Sequence, residues 1–423
     1  MVIDRWECAA LKRGSEWLLV YGRRKTGKTF LLRRCLRWGL YVTITRARSC
    51  IVERGGSIGF LDDLRACISS VIDSLARGET VVVDEFQRLP EDYWDLIALK
   101  RSEVSGRLVL CGSSLGIARR VFDRRSPLLG LLQPFLVGLA SVADSIASLS
   151  KHLPPREAVL WGALARDPWI LGLAEPRGEP WIELARRAPS LAPVATSLIG
   201  EVFTEEEKQL TRLYEATLRL LAEGYWSSKS LAQKLFEARL ISAPHPGIVT
   251  GILSQLESMG LVAKIPLWRT RGARYFYRHS SPLLSTLLRI DELVEEHGAS
   301  PDPQQLAVYI AIELQFAIGE LLAQKHNLVQ AYTILPHGEG DIDIVLLDRR
   351  RRPVAAYEVK AGDMSSAEAR RAVERIRSIG IPRAGIVCLG SEPPQGVADE
   401  AYSARDIVEV AKEVSARLRE CSG

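Results

Sequence analysis

Short apolar runs alternate with helix-length segments over the first 140 of the 423 residues. Such runs are typical of buried strands, and their alternation with helices predicts a parallel sheet with crossover helices. The predicted strands are 17–21, 40–44, 80–85, 107–111 and 134–137. This part of the sequence therefore favours the α/β class.

The pattern changes after residue 140. Residues 141–200 are interpreted as helices broken by prolines, among them Pro189 and Pro193. Three more helices are then predicted, the first of them capped by Thr204, at 204–223, 231–240 and 248–259. They are followed by two apolar runs, 261–268 and 274–278, around a turn at 270–273. Three helices and a hairpin predict a winged helix.

The last part of the chain, from the Pro301-Asp302-Pro303 break, has its own alternation of elements. A long helix is predicted first, followed by a turn feeding a strand over 338–347, a strand at 354–360, a helix at 366–378 and a strand at 384–389. The whole pattern predicts four domains: an α/β core at 1–140, a helical lid at 141–203, a winged-helix domain at 204–298 and a further α/β domain at 299–423.

Net charge changes this picture little. The formal charge is +5, from 56 Lys and Arg against 51 Asp and Glu, which excludes a histone-like polycation. The basic surplus lies in residues 1–200, with 29 basic and 21 acidic residues, whereas 201–300 have 12 of each and 301–423 have 15 against 18.

Seven cysteines occur singly along the chain, at 8, 35, 50, 67, 111, 388 and 421. Their odd number and the lack of a C-x-x-C pair argue against a disulfide framework and against a zinc site. The N-terminus lacks the apolar core of a signal peptide, and no uninterrupted run approaches the ~18 apolar residues of a membrane helix. We therefore expect a soluble, cytoplasmic protein with no membrane partner.

The strongest motif follows the first predicted strand. Residues 22–29 fit G-x-x-x-x-G-K-[ST], the pattern of a loop whose backbone N–H groups cradle phosphates at the start of a helix. Lys28 would reach the β- and γ-phosphates, and the Thr29 hydroxyl would bind Mg²⁺. The predicted nucleotide contacts are Gly22, Arg23, Arg24, Lys25, Thr26, Gly27, Lys28, Thr29 and Phe30.

Two predicted strands end in residues that suit hydrolysis. Asp84, at the tip of a buried strand, would hold Mg²⁺, and Glu85 would polarise the attacking water. Ser113 and Ser114 follow the next strand, and the hydroxyl of either one would sense the γ-phosphate or the attacking water, or would cap the following helix.

Four arginines follow within a dozen residues, at 119, 120, 124 and 125. They fit a solvated face, a polyphosphate patch, a nucleic-acid patch or an arginine finger acting on a neighbouring subunit. The last interpretation needs an oligomer, which is compatible with the sequence.

The predicted hairpin is basic and aromatic. Five Arg, one Lys and no acid lie between Ser258 and Arg289. This composition suits DNA phosphates, with the third helix offering polar side chains to a groove, and competes with a winged helix used only as a spacer or protein-binding module. The predicted DNA contacts are Thr250, Ser254, Arg269, Arg271 and Arg274.

The C-terminal hairpin carries a third cluster. Asp343 begins one strand, and Glu358 and Lys360 share a face of the next because side chains alternate. Two carboxylates and a lysine could bind Mg²⁺ and activate water against a phosphodiester, with Glu320 on the preceding helix as a further ligand. The competing interpretation is a half-buried strand with a surface salt bridge.

In this order, GRRKTGKT, VVVDEFQRLP, LCGSS, a winged helix and GDIDIV…YEVK resemble the archaeal ATPase family. These are AAA-related P-loop proteins whose C-terminal domain is similar to PD-(D/E)xK nucleases. The resemblance implies a five-stranded parallel P-loop NTPase sheet with a helical lid, an α+β winged helix and an α/β nuclease-like domain. It further implies that Asp84 and Glu85 are the Walker B pair, Ser113 a sensor, and Glu320, Asp343, Glu358 and Lys360 the nuclease-like positions.

Together these features predict an ATPase that uses ATP and Mg²⁺ to act as a switch on double-stranded DNA, with nuclease activity as a further possibility. The alternative is a signalling or scaffold ATPase whose later domains bind proteins and cut no DNA. DNA binding with a steep salt dependence would distinguish the first from the second.

Overall fold

The computed structural model describes residues 1–206, 208–269, 274–334 and 341–421. It contains two compact units, which are described separately. The P-loop unit comprises Glu7–Gly138 and Glu201–Gln209, and the large unit comprises Met1–Trp6, Leu139–Gly200 and Leu210–Cys421. The finer division into four domains stays a prediction.

The P-loop unit is built on one mixed sheet. Its strands are β1 (Leu18–Tyr21), β2 (Leu40–Ile44), β3 (Cys50–Arg54), β4 (Ser57–Leu61), β5 (Thr80–Asp84), β6 (Arg107–Gly112) and β7 (Gln133–Leu136). Its helices are α1 (Glu7–Arg13), α2 (Lys28–Cys35), α3 (Leu64–Ala76), α4 (Asp92–Lys100) and α5 (Leu115–Val121). Short 3₁₀ turns at Phe86–Arg88 and Arg101–Glu103 complete it.

The strand order is β4-β3-β2-β5-β6-β1-β7, and the five strands from β2 to β7 in this order pair in parallel. The predicted α/β class with a parallel sheet is confirmed. Apolar side chains cover both faces of the sheet, since the central strands are buried along nearly their whole length. Parallel strands place their carboxyl ends at one edge, and the candidate site lies there.

The sequence interpretation missed the antiparallel hairpin of β3 and β4 at the sheet edge. Its turn is Gly55-Gly56, with φ of 55° and 85°, and a Gly-Gly pair is a known hairpin signal. The hairpin escaped detection because β4 is exposed along most of its length, so its sequence lacks the alternation of a half-buried strand.

The expectation that the cysteines form no disulfide framework was wrong. Cys8–Cys35 and Cys50–Cys67 form disulfides, which join α1 to α2 and β3 to α3. Cys111 and Cys388 are buried free thiols and Cys421 is an exposed one. Pairing over 27 and 17 residues depends on how α1 packs beside α2 and how α3 packs on β3, which single cysteines scattered along a sequence do not reveal.

The large unit begins with helices. They are α6 (Val142–Leu149), α7 (Pro155–Leu164), a 3₁₀ turn (Pro168–Gly172), α8 (Pro180–Arg186) and α9 (Ala188–Glu205). Helix α9 contains Pro193 and runs past Gly200, where the chain passes to the P-loop unit. The expected proline break at 193 and the expected helix start at Thr204 are therefore wrong. Buried apolar side chains such as Leu191, Leu198 and Val202 follow one face of α9, so packing outweighs these local signals.

Three helices and a hairpin follow, as expected. They are α10 (Arg212–Ala222), α11 (Ser228–Glu237), α12 (Pro246–Ser258), β8 (Val262–Pro266) and β9 (Tyr275–His279). Ser227 caps α11 in a reciprocal box with Ser230, and β8 pairs antiparallel with β9. The turn expected at 270–273 lies outside the described residues.

The rest of the large unit is a five-stranded sheet with helices. Its helices are α13 (Pro282–His297), α14 (Pro303–His326), α15 (Ser366–Ser378) and α16 (Ala404–Cys421). Its strands are β10 (Val329–Ile334), β11 (Asp341–Leu347), β12 (Pro353–Lys360), β13 (Arg383–Cys388) and β14 (Glu400–Ser403), in this spatial order. The predicted β11–β12 hairpin is confirmed, with Ile344 opposite Tyr357.

Helix α14 is long and apolar, with a mean hydropathy of 1.7 over its most apolar window. Among the described residues it alone meets the length and composition of a membrane span. However, 67% of that window is buried inside the structure, and the core helix of a soluble protein passes the same test.

Candidate nucleotide-binding site

The glycine-rich loop runs from β1 to α2, as the sequence predicts. Gly22 has φ +152°, and a Cβ there would lie 2.2 Å from the Val137 carbonyl oxygen. Gly27 has φ +86° and is the N-cap residue of α2, with no side chain to satisfy the first helical N–H groups. Gly22 is therefore required by the close backbone approach and Gly27 is favoured by its positive φ, and the N-terminus of α2, which has no side-chain cap, suits an anion.

Lys28 is buried at the first position of α2. Its Nζ donates to the carbonyl oxygens of Gly22 and Arg23, each at 2.8 Å. The loop therefore curls around the ammonium group. A bound phosphate would have to compete with these two carbonyl oxygens for the Lys28 ammonium group or share it with them.

Asp84 collects donors from three directions. Its carboxylate accepts from the Thr29 hydroxyl at 2.8 Å, from the Tyr41 hydroxyl at 2.8 Å and from the Glu85 N–H at 2.9 Å. Tyr41 is fully buried on β2, and burial together with the Asp84 charge raises the pKa of its hydroxyl. Burial and Asp84 likewise raise the pKa of the Cys111 thiol.

The Thr29 hydroxyl and the Asp84 carboxylate fit a hard divalent cation, because both are oxygen donors and they already lie within hydrogen-bond distance. Sequence reasoning missed Tyr41. An aromatic residue in an apolar strand reads as core, and only the pairing of β2 beside β5 brings its hydroxyl to Asp84.

Glu85 adopts the left-handed region, with φ 58°, directly after β5. Its carboxylate forms an ion pair with Arg88 at 2.8 Å and accepts from Gln87 Nε2 at 2.8 Å. Gln87 Nε2 also donates to the Ser113 hydroxyl at 2.9 Å. The tips of β5 and β6 are thus joined through one amide, which the sequence did not reveal.

The two serines after β6 have different partners. Ser114 is the N-cap of α5 and accepts from the Gly116 N–H. Ser113 instead accepts a hydrogen bond from Gln87 Nε2, the same amide that donates to Glu85. The carboxylate of Glu206 also accepts from the N–H groups of Leu115 and Gly116, a contact from 90 residues away that no local pattern suggests.

The other predicted nucleotide contacts differ in exposure. Arg24 forms an ion pair with Glu201 at 2.6 Å, Thr26 donates to the Arg23 and Val137 carbonyls, and Phe30 is exposed. Of the four arginines after α5 begins, Arg120 lies 3.7 Å from Glu91 and 6.0 Å from the Trp94 ring. All four are exposed.

The predicted DNA contacts lie in the large unit. Thr250 and Ser254 are exposed on α12, and Thr250 donates to the Pro246 carbonyl of its own helix. Arg274 is exposed, and Arg269 donates to the Ile379 carbonyl at 2.5 Å. Arg271 lies outside the described residues.

The four nuclease-like positions do not all lie together: Asp343 and Glu358 are neighbours, whereas Lys360 and Glu320 have other partners. Asp343 is mostly buried and accepts from the Val359 N–H at 2.7 Å, and burial together with the Glu358 charge raises its pKa to about 7. Glu358 pairs with Arg375 at 2.6 Å, and Lys360 pairs with Glu368 at 2.5 Å.

Glu320, the proposed further ligand, instead pairs with Arg166 at 2.8 Å. Within the described ranges, no group of three His, Cys, Asp or Glu side chains is arranged to hold a metal ion. The structure therefore brings Asp343 and Glu358 together and gives Glu320 a different partner.

The parallel sheet with its glycine-rich loop between β1 and α2 is consistent with a P-loop NTPase fold. No family model and no curated protein sequence matches this chain.

Solved structures similar to the chain include the ORC2 protein of Aeropyrum pernix in ADPNP–ADP complexes, at TM-score 0.40 and 14% identity over 69% of this chain and 93% of that one. A signal-transduction ATPase with numerous domains from Pyrococcus horikoshii has TM-score 0.29 and 13% identity over 76% and 48%. The RuvB branch-migration motor of Thermotoga maritima has TM-score 0.28 and 16% identity over 64% and 88%. With TM-scores below 0.5, these similarities leave the function to be argued from the site.

Proposed function

We propose that the P-loop unit binds and hydrolyses ATP with Mg²⁺. The observation that carries this proposal is that two separate elements meet at one place: the Thr29 hydroxyl, next to Lys28 at the start of α2, lies 2.8 Å from the Asp84 carboxylate at the end of β5. A glycine-lined anion site beside a hydroxyl–carboxylate pair suits a triphosphate with its cation.

In this mechanism, Lys28 turns from the loop carbonyls to the β- and γ-phosphate oxygens. Thr29 and Asp84 would hold Mg²⁺, which neutralises charge on the phosphates when bound. Tyr41 keeps the Asp84 carboxylate in place. Glu85 orients the attacking water once its carboxylate is released from Arg88 and Gln87. Because Gln87 also donates to the Ser113 hydroxyl, this release is coupled to Ser113.

Nucleotide affinity of the Lys28→Ala variant tests this proposal. Losing a charge-assisted contact of ~3 kcal/mol should weaken ATP binding at least about 100-fold in calorimetry. Lys12→Ala removes the same charge from the exposed face of α1 and should leave the affinity unchanged. Unchanged ATP affinity in Lys28→Ala would refute the assignment of the loop.

We further propose that ATP turnover acts as a switch on double-stranded DNA in the cytoplasm, with the segment from α10 to β9 as a winged helix. Exposed polar residues on α12, Thr250 and Ser254, and the exposed Arg274 support this, because they offer hydrogen-bonding groups and a positive charge at the surface. A duplex-binding titration with and without ATP tests it. Identical affinity in both states would exclude the switch.

A second candidate activity is metal-dependent cleavage of DNA. The pairing of Asp343 with Glu358 favours it, because two carboxylates whose charges repel would be stabilised by a divalent cation between them. Wild type should cut duplex DNA with Mn²⁺ or Mg²⁺, and Lys360→Ala should lose that activity. Absence of cutting by wild type would leave the hairpin as a binding or structural element.

A further inference from the structure

The turn between β11 and β12 contains four consecutive arginines, Arg349 to Arg352, and its backbone is organised by Asp348. The Asp348 carboxylate accepts from the N–H groups of Arg350 and Arg352, at 2.8 and 2.9 Å. The Asp348 backbone N–H donates to the Arg352 carbonyl, and the Asp348 backbone carbonyl accepts from the Arg351 N–H. The turn is therefore a preorganised support for side chains.

The positive charge of this turn is largely uncompensated. Asp348 pairs with Arg352 at 2.9 Å, so four arginines and one aspartate give a net charge of +3. Arg349 and Arg350 are exposed. Four like charges in a row repel each other, and a fold that holds them in a fixed turn bears a cost that an anionic partner would relieve.

The turn adjoins the β8–β9 hairpin at Leu267. The Leu267 N–H donates to the Arg274 carbonyl at 3.0 Å, and the Leu267 carbonyl lies 3.5 Å from the Arg351 guanidinium. Arg269 is two residues further along the chain. Leu267 thus contacts the backbone of Arg274 within the hairpin and the side chain of Arg351 from the distant turn.

The same segment ties the hairpin to the edge of the five-stranded sheet. Leu267 forms a β-bridge with Tyr332 on β10, the Trp268 N–H donates to the Tyr332 carbonyl at 2.9 Å, and Thr333 donates to the Trp268 carbonyl at 2.7 Å. The hairpin and the arginine turn therefore belong to one continuous hydrogen-bonded surface and hold their spacing.

We name the surface made of Arg269, Arg274, Arg349, Arg350 and Arg351 the arginine surface. We propose that it binds the phosphate backbone of double-stranded DNA. The inference deepens the DNA-directed part of the proposed function and rests on it. The arginines are spread over an exposed surface and do not converge on a pocket, which suits a polyanion with repeated phosphates better than a single small anion. The arginine turn thereby extends the contact made by the hairpin.

The test is the binding of duplex DNA by the full chain, measured by fluorescence anisotropy over a range of KCl concentrations. Arg349→Ala/Arg350→Ala removes two exposed charges, and each lost phosphate contact should lower the slope of log K against log[salt] by about 0.9, or about 1.8 in total. At 0.1 M salt the affinity should fall by roughly tenfold to sixtyfold, equally for unrelated sequences. Arg349→Lys/Arg350→Lys should retain most of the slope.

Arg405→Ala/Lys412→Ala is the matched control, because it removes two exposed charges from α16, which follows β14 at the sheet edge opposite β10. It should leave the slope unchanged. If Arg349→Ala/Arg350→Ala keeps the wild-type slope, the proposed role of the arginine surface is refuted, and the proposed function on DNA is unaffected. Absence of duplex binding by wild type would overturn both, whereas a failed Lys28→Ala test would concern the nucleotide site alone.

Discussion

The two disulfides should contribute measurably to the stability of the P-loop unit. They close loops with sequence separations of 27 and 17 residues. In the chain-entropy description, loops of this size restrict the unfolded chain by about 3.5 and about 3 kcal/mol respectively. Against a typical domain stability of about 5–15 kcal/mol, losing either one should lower the urea midpoint clearly.

Thiol counting decides whether the bonds form. In denaturant without reductant, three thiols per chain should react, those of Cys111, Cys388 and Cys421, and after reduction all seven should react. Cys8→Ser/Cys35→Ser should lower the urea midpoint, whereas Cys421→Ser should remove one reactive thiol and leave the midpoint unchanged. Seven reactive thiols in the unreduced, denatured protein would refute the pairing, and a midpoint insensitive to reductant would refute the stability contribution.

Two further predictions concern single side chains. Tyr41→Phe removes a hydroxyl bonded to the buried Asp84 carboxylate and should cost about 1.5–3 kcal/mol in urea unfolding and weaken Mg²⁺–ATP binding, while unchanged values for both would contradict the positioning role. Burial raises the pKa of Glu292 from 4.5 to about 7, so the folded state binds more protons between these values and the free energy of unfolding falls as pH rises through this window. Glu292→Gln should therefore stabilise the protein by about 1–2 kcal/mol at pH 8, after allowance for solvent screening, and by nothing near pH 4, and an equal effect at both pH values would contradict this cause.

Residues close together in sequence were largely interpretable without coordinates. The glycine-rich loop needs Gly22 and Gly27 for backbone reasons, and both adopt φ values that other residues rarely adopt. The strand ending in Asp84 could be read because a buried parallel strand is a continuous apolar run with its polar residues at the tip. These are properties of a few consecutive residues, and a local pattern expresses them.

Other local signals were misleading. Thr204 with the acidic residues after it resembles a helix start, and Pro193 resembles a helix break, yet Pro193 lies inside α9 and Thr204 lies in its last turn. Local preferences of about 1–3 kcal/mol are smaller than the burial of an apolar helix face over five turns. Tertiary packing decided those boundaries.

What the sequence by itself determined is the α/β class of the P-loop unit, the glycine-rich loop between β1 and α2, and the carboxylates at the tip of β5. The tertiary structure alone decided the disulfide partners, the hydroxyl of Tyr41 on Asp84, the cap that Glu206 places on α5 and the contact of the Arg351 side chain with the Leu267 carbonyl. The reason is physical: each of these contacts joins residues 17 to 91 positions apart. Their proximity is set by how strands and helices pack and leaves no periodic trace in the chain.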